Sequence, residues 1–255
     1  MSTSDEKVKV LVFYAFGREM SRLKKRLEDR EPLRIDGLAG VRGRLNGVDI
    51  ALVPTGIGSL RARQCARKAF KVFTGCALTI SGGVAGALSE GLAAGDLVIA
   101  DRLLLGGKED SRADHILELP RSEVTETEDA LRDAGLSFST GALLTSSRVL
   151  DTADAKRRAK SESGAIAVDM ESAGLGLEAA AHGRRFSCVR AVLDEVDDPV
   201  PAELADESGR VRPVAATSFF MRHPATILKI PRLMRNLSRA TGSLADAIES
   251  LTKRV

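Results

Sequence analysis

The chain has 255 residues, long enough to bury a core without disulfide or metal staples and within the length that α/β folds fill as one domain. Hydrophobic residues are 44% and charged residues 29% of the chain, which excludes a disordered or collagen-like polymer. A net charge of +3, no Trp and a single Tyr exclude a dedicated nucleic-acid binder, because neither a cationic surplus nor a stacking platform is present.

The N-terminal MSTSDEK is polar and lacks an apolar signal core, so a cytoplasmic protein is expected. Val8–Tyr14 (VKVLVFY) reads as a buried strand. Glu19–Arg30 reads as an amphipathic helix with Met20, Leu23 and Leu27 on one face. Val48–Val53 is a second strand ending in the turn Pro54–Gly58, after which Ser59 is predicted to cap a helix through Phe73. Val72–Ser89 is uncharged and long enough to span a bilayer, but Gly75, Gly82, Gly83 and Gly86 interrupt it. Strands Leu78–Ile80 and Leu97–Ala100 flanking a glycine loop, Ser81–Gly86, are predicted instead. Leu104–Glu128 reads as an irregular polar loop over a site. Gly141–Leu144 is a strand, Asp151 the N-cap of a helix through Lys160, and Ala165–Val168 a strand running into the helix Glu171–Ala181. Phe186–Leu193 is the last strand; an acidic segment, Ala202–Arg212, and a basic apolar tail follow. Cys65, Cys76 and Cys188 are widely spaced without a CxxC pair, as reduced thiols of a cytoplasmic protein are.

Alternating strands and helices predict an α/β layered fold with a largely parallel sheet, whose ligands bind beyond the carboxyl ends of the strands. Those ends carry Arg18-Glu19, Thr55-Gly56-Ile57-Gly58-Ser59, Ser81-Gly82-Gly83-Val84-Ala85-Gly86, Asp169-Met170-Glu171 and Asp194-Glu195. Taken singly, each has a structural reading: the glycines serve close packing, and Glu19 and Glu171 favour a helix dipole. Together they bring carboxylates from separate strands to one crevice, where a polar substrate is needed to accommodate them.

Ala167-Val168-Asp169-Met170-Glu171-Ser172-Ala173 resembles the A-V-E-M-E-x-A motif of the superfamily of purine nucleoside phosphorylases and methylthioadenosine/S-adenosylhomocysteine nucleosidases. Arg190-Ala191-Val192-Leu193-Asp194 resembles its R-x-x-S-D strand end, and Thr55–Ser59 its S-G-I-G turn. Ser81–Leu88 with Ala94–Val98 resembles its T-G-S-A-G-G-L and V-G-D-I-V blocks, in the family order between Val8 and Asp194. The resemblance implies a single three-layer α/β/α domain with a mixed, mostly parallel twisted sheet, and cleavage of the N-glycosidic bond of a purine nucleoside. It implies Asp194 as the acid at purine N7, Glu171 as the holder of the ribose hydroxyls, and Met170 against the sugar. Val149 and Leu150 then lie near the purine, and Glu19 is the glutamate that activates water. Gly83, Val84 and Ser81 complete the binding block, while Arg18, Gly56 and Gly58 are candidates for anion binding. Three positions depart from the pattern: Val84 and Leu193 replace serines, and Val149 replaces an aromatic base-stacker. Ser81 stands where the hexameric phosphorylases have an arginine, which favours water over phosphate as the acceptor.

The resulting expectation is hydrolysis of an adenine nucleoside without cofactor or metal by a homo-oligomer. A phosphorylase and a non-catalytic nucleoside-binding protein are the alternatives. Residues 1–212 form the expected catalytic domain and 213–255 a basic tail. Within it, Phe219–Arg239 combines cations with apolar residues, broken into short pieces by Pro224 and Pro231. Its two readings are a helix packed on the sheet and an amphipathic segment in peripheral contact with the inner, anionic membrane surface. The tail also resembles the hopanoid-associated phosphorylases, which implies adenosylhopane as substrate.

Overall fold

The computed structural model describes residues 7–35, 37–106, 114–198 and 230–255. Its central strand, β1 (Val10–Tyr14), is buried along its whole length, as five consecutive apolar or aromatic residues require. It runs parallel to β4 (Val48–Pro54) on one side and β5 (Leu78–Ala87) on the other.

The predicted helix after β1 is cut short. Helix α1 covers only Ser21–Arg26, and Leu27 has extended backbone. The chain then forms β2 (Glu28–Ile35) and β3 (Leu38–Leu45), an antiparallel extension running into β4. Pro32 cannot continue a helix and biases Glu31 toward extended geometry. The ion pairs of Arg42 with Glu31 and of Arg44 with Asp29 then staple β3 to β2. Asn46 and Gly47, both at positive φ, make the two-residue turn from β3 to β4.

Helix α2 (Ser59–Val72) begins one residue earlier than predicted: Ser59 is its first residue, and Gly58 the cap. The predicted glycine loop Ser81–Gly86 is strand throughout, within β5. On one edge β10 (Phe186–Asp194) pairs along all of Ser81–Gly86, while β1 on the other edge pairs with β5 as far as Ser81. Strand β6 (Leu97–Leu105) precedes a region expected to be irregular. Its described part is instead β7 (Asp114–Glu118) and helix α3 (Arg121–Asp133). Strand β8 (Phe138–Thr145) leads to helix α4 (Ala153–Ser163), capped by Thr152, not Asp151; the Thr152 hydroxyl accepts from the Ala155 N–H at 3.2 Å. Strand β9 (Ala167–Asp169) runs into helix α5 (Ser172–Ala181).

Among the described residues, five strand pairings are parallel and five antiparallel, so the sheet is mixed. It also closes on itself. Strand β10 pairs with both β5 and β6, and β9 with both β8 and β5, giving a ring β5–β10–β6–β8–β9. Helices α2 and α5 pack together, while the last helix, α6 (Ile230–Thr252), lies on β10 and β5 and against α1 and α3.

Helix α6 buries Ala240, Leu244, Ala245, Ala247, Ile248 and Leu251, one helical face. Each large aliphatic side chain buried this way contributes about 1.5–3 kcal/mol. Pro231 does not break it: it lies in the first turn, where no backbone donor is needed. Residues 219–229 of the predicted tail, and the acidic segment Ala202–Arg212, lie outside the described residues. Cys65, Cys76 and Cys188 are all free thiols. No helix among the described residues is long and apolar enough to cross a membrane.

Candidate active site

The site is built on β5 and the carboxyl ends of its neighbours. Glu19 follows β1 in a turn that returns its carboxylate onto that turn and onto β5. Its Oε2 accepts from the Ala15 N–H at 2.8 Å and the Phe16 N–H at 3.0 Å, and its Oε1 from the Val84 N–H at 2.9 Å. A Cβ on Gly83 would stand 2.7 Å from Oε1, so only glycine admits the carboxylate this close to β5. Burial pushes the Glu19 carboxyl above its ordinary range, opposed by the backbone donors and the Arg190 charge. Three accepted bonds leave it acceptor capacity for a water.

Glu171 occupies the cap position of α5 without capping it. Its Oε1 instead accepts from the Gly58 N–H at 2.9 Å. Gly58, at φ +107°, has a backbone that glycine alone adopts readily. Burial first, then the Asp169 charge, raise the Glu171 carboxyl to about 8, with the Gly58 bond acting against them. The charge on Glu19 also contributes to this rise, so the two acids sense each other across the site.

Behind them lies a buried polar cluster. Arg190, a cation in the apolar strand β10, donates to Asp169 Oδ2 through Nε at 2.9 Å and Nη2 at 2.7 Å. It also donates to the hydroxyls of Ser81 and Ser172, each at 2.8 Å. Asp169 accepts further from the Thr145 hydroxyl at 2.8 Å and the Ser172 hydroxyl at 2.6 Å. With every partner satisfied, the pair fixes β9 and the start of α5, and thereby Glu171.

Asp194 ends β10 beside Gly86, whose added Cβ would meet Asp194 Oδ1 and Lys156 Nζ at 3.3 Å each. Its Oδ2 accepts from Lys156, a lysine of α4 that is only 1% exposed. Neither Lys156 nor Arg190 was singled out from the sequence as a site residue. Arg190 had a signal, a lone charge inside an apolar strand, which demands a buried partner. Lys156 had none, because it stands in the row Lys156-Arg157-Arg158.

A family model described as the phosphorylase superfamily matches residues 9–221. The chain belongs to the phosphorylase superfamily. Among solved structures, the 5′-methylthioadenosine/S-adenosylhomocysteine nucleosidase of Neisseria meningitidis is 19% identical, with a TM-score of 0.75 over 97% of this chain and 99% of that one. The futalosine hydrolase of Helicobacter pylori is 17% identical, with a TM-score of 0.74 over 97% and 100%. The S-adenosylhomocysteine nucleosidase of Streptococcus pyogenes is 21% identical, with a TM-score of 0.71 over 95% and 97%. At these identities the likeness is one of fold.

In this superfamily member, Glu19, Gly83, Val84, Glu171 and Asp194 come together around β5, with Met170, Val149 and Leu150 half-buried on adjoining segments. Three residues serve otherwise than expected. Ser81 is fully buried in the Arg190 cluster, with its hydroxyl committed there and not to a substrate. The Gly58 amide, expected with Gly56 to hold an external anion, holds the Glu171 carboxylate. Arg18 lines a surface groove of about 440 Å³ between α1 and α6, with Arg22, Lys25, Arg26, Met234 and Leu237. Asp194, implied to be the acid at the purine, is paired with the Lys156 ammonium.

Proposed function

We propose that the protein hydrolyses the N-glycosidic bond of a purine nucleoside, adenine being the base. The observation that carries this is the set of three carboxyl groups from separate strand ends along β5: Glu19 against Gly83 and Val84, Glu171 raised in part by the charge of Glu19, and Asp194 beside Gly86. Each then has a distinct task. Asp194 gives a proton to the purine ring as the C1′–N9 bond breaks and its electron pair stays on the base. Buried Glu171 binds the ribose 2′- and 3′-hydroxyls. Glu19 takes a proton from the attacking water as its oxygen joins C1′, and nearby carboxylates stabilise the positive charge that develops on the sugar.

Engagement of the Gly58 amide by Glu171 supports water over phosphate as the acceptor. The test is base release from a panel of purine nucleosides with and without phosphate. Free ribose and a rate indifferent to phosphate are expected; ribose 1-phosphate as the product would establish phosphorolysis, and no release from any nucleoside a binding role.

A second reading adds a lipid on the 5′ carbon and peripheral contact with an anionic membrane. It is supported by Met234, 49% exposed beside exposed Arg235 and Arg239 on α6. Arg232 is otherwise engaged, with Asp198 at 3.1 Å. Salt-sensitive binding to phosphatidylglycerol vesicles, weakened by Arg235→Glu with Arg239→Glu, is expected; no binding at low salt removes this reading.

A further inference from the structure

The Lys156–Asp194 pair bears directly on how the acid works. Lys156 stands one turn inside α4, and its flanking cations Arg157 and Arg158 are exposed. Its ammonium has three N–H donors and three acceptors: Asp194 Oδ2, the Asp194 carbonyl at 3.3 Å and the Glu195 carbonyl at 2.8 Å. Desolvating an ammonium this completely is costly, and such burial persists only where a carboxylate and further oxygens replace the water. The end of β10 is built as that replacement, and Gly86 leaves the room for it.

We propose that Lys156 is the positioning residue that holds Asp194 as a carboxylate in the resting site and stabilises the carboxylate that re-forms when the proton passes to the departing base. This deepens the hydrolase reading and rests on Asp194 being its acid. A proton from solvent is taken up by Asp194, moves to the purine nitrogen as the C1′–N9 pair collapses onto the ring, and leaves with the base; the proton that Glu19 takes from the attacking water is a second one, released to solvent after water adds. Lys156 keeps its own protons throughout. An opposite charge in contact favours the ionised carboxyl, so protonation of Asp194 works against the Lys156 contact. Base release therefore falls with rising pH from the acidic side.

Among the described residues, the charged groups around the pair have partners of their own. On α4, Arg157 is engaged by Asp154 and Asp197. Beyond β10, Glu195 and Asp198 meet Arg232 of α6. On β5 the facing residue is Gly86, and across the site Arg190 is matched by Asp169, with Glu19 and Glu171 beyond.

The test compares pH profiles of kcat/KM and kcat for adenosine cleavage by the wild type, Lys156→Gln and Lys156→Arg. Lys156→Gln is expected to move the alkaline limb of kcat/KM upward by at least about one pH unit while lowering the maximal rate, each pH unit being a tenfold change in acid strength. Lys156→Arg is expected to restore the wild-type limb. A limb unmoved in Lys156→Gln, with only its amplitude reduced, would overturn the proposal. Should that variant not fold, the carboxyl ¹³C signal of Asp194 in the wild type, assigned with Asp194→Asn, decides: an ionised carboxylate at pH 7 supports the proposal and a protonated acid overturns it. Asp194→Asn separates the two claims. Full activity there defeats the hydrolase reading itself, whereas an inactive Asp194→Asn with an unmoved Lys156→Gln limb defeats only the role of Lys156.

Discussion

Glu171 accepts a hydrogen bond from the Gly58 N–H at 2.9 Å, joining two turns that lie 113 residues apart in the chain. The contact ties the start of α2 to the start of α5 and sets a carboxyl group where water is scarce. With its titration raised to about 8 from an ordinary 4.5, the folded protein holds a proton that the unfolded chain has released over that interval. Stability must then fall as pH rises from about 4.5 to about 8. Glu171→Gln, measured by urea unfolding between pH 5 and 8, is expected to flatten that slope by up to about 1.4 kcal/mol per pH unit. The part due to Glu19, which is shifted in the same direction, should remain. An unaltered slope places the Glu171 carboxyl in water.

The same residue tests the sugar contact. A 2′-deoxynucleoside leaves the buried Glu171 carboxyl without one partner, at a cost of about 1.5–3 kcal/mol, or roughly tenfold to a hundredfold in kcat/KM. Equal rates for ribo- and deoxyribonucleosides would return Glu171 to a purely structural role.

Asp194→Asn keeps the shape of the side chain but cannot give up a proton. A loss of about 10²-fold or more in base release is expected, with circular dichroism and melting showing an intact fold.

Glu19→Gln is expected to retain nucleoside binding by calorimetry and to lose turnover by a similar factor of about 10²-fold, because the amide cannot take the proton of the attacking water. Turnover close to wild type removes Glu19 as the base and leaves it as the brace between the β1 turn and β5.

Arg190→Met strands Asp169 as an uncompensated buried charge and is expected to cost about 3–5 kcal/mol in chemical denaturation. Arg190→Met combined with Asp169→Leu should recover part of this. A double variant as unstable as the sum of its parts would show that the hydrogen bonds of the cluster, and not its charges, hold β9 and α5 in place.

Much of this site is local enough to be read along the chain. Alternation of apolar runs with amphipathic segments identifies the strands β1, β4, β8 and β10, because a strand buried on both faces must be apolar on both. The groups that follow those strands are then the groups at the ligand side of the sheet, which is why Glu19, Glu171 and Asp194 stand out. Pro32 and the Asn46–Gly47 pair also encode the β2–β4 extension; the helical periodicity of Glu19–Arg30 masks it, because two local patterns overlap there. The glycines of β5 illustrate the reverse case: alone they read as a loop, and pairing with β10 makes them strand. Only the tertiary structure decides which polar group meets which. Ser81 faces Arg190 because of the register of β5 against β10. Gly58 meets Glu171 because α2 packs on α5. Among Lys156, Arg157 and Arg158, composition is indifferent; the fold turns Lys156 inward onto the end of β10 and leaves its neighbours exposed. Side-chain type thus sets what chemistry is available, while burial and partner choice depend on contacts distant in sequence, and it is these that set the charge state in which each acid works.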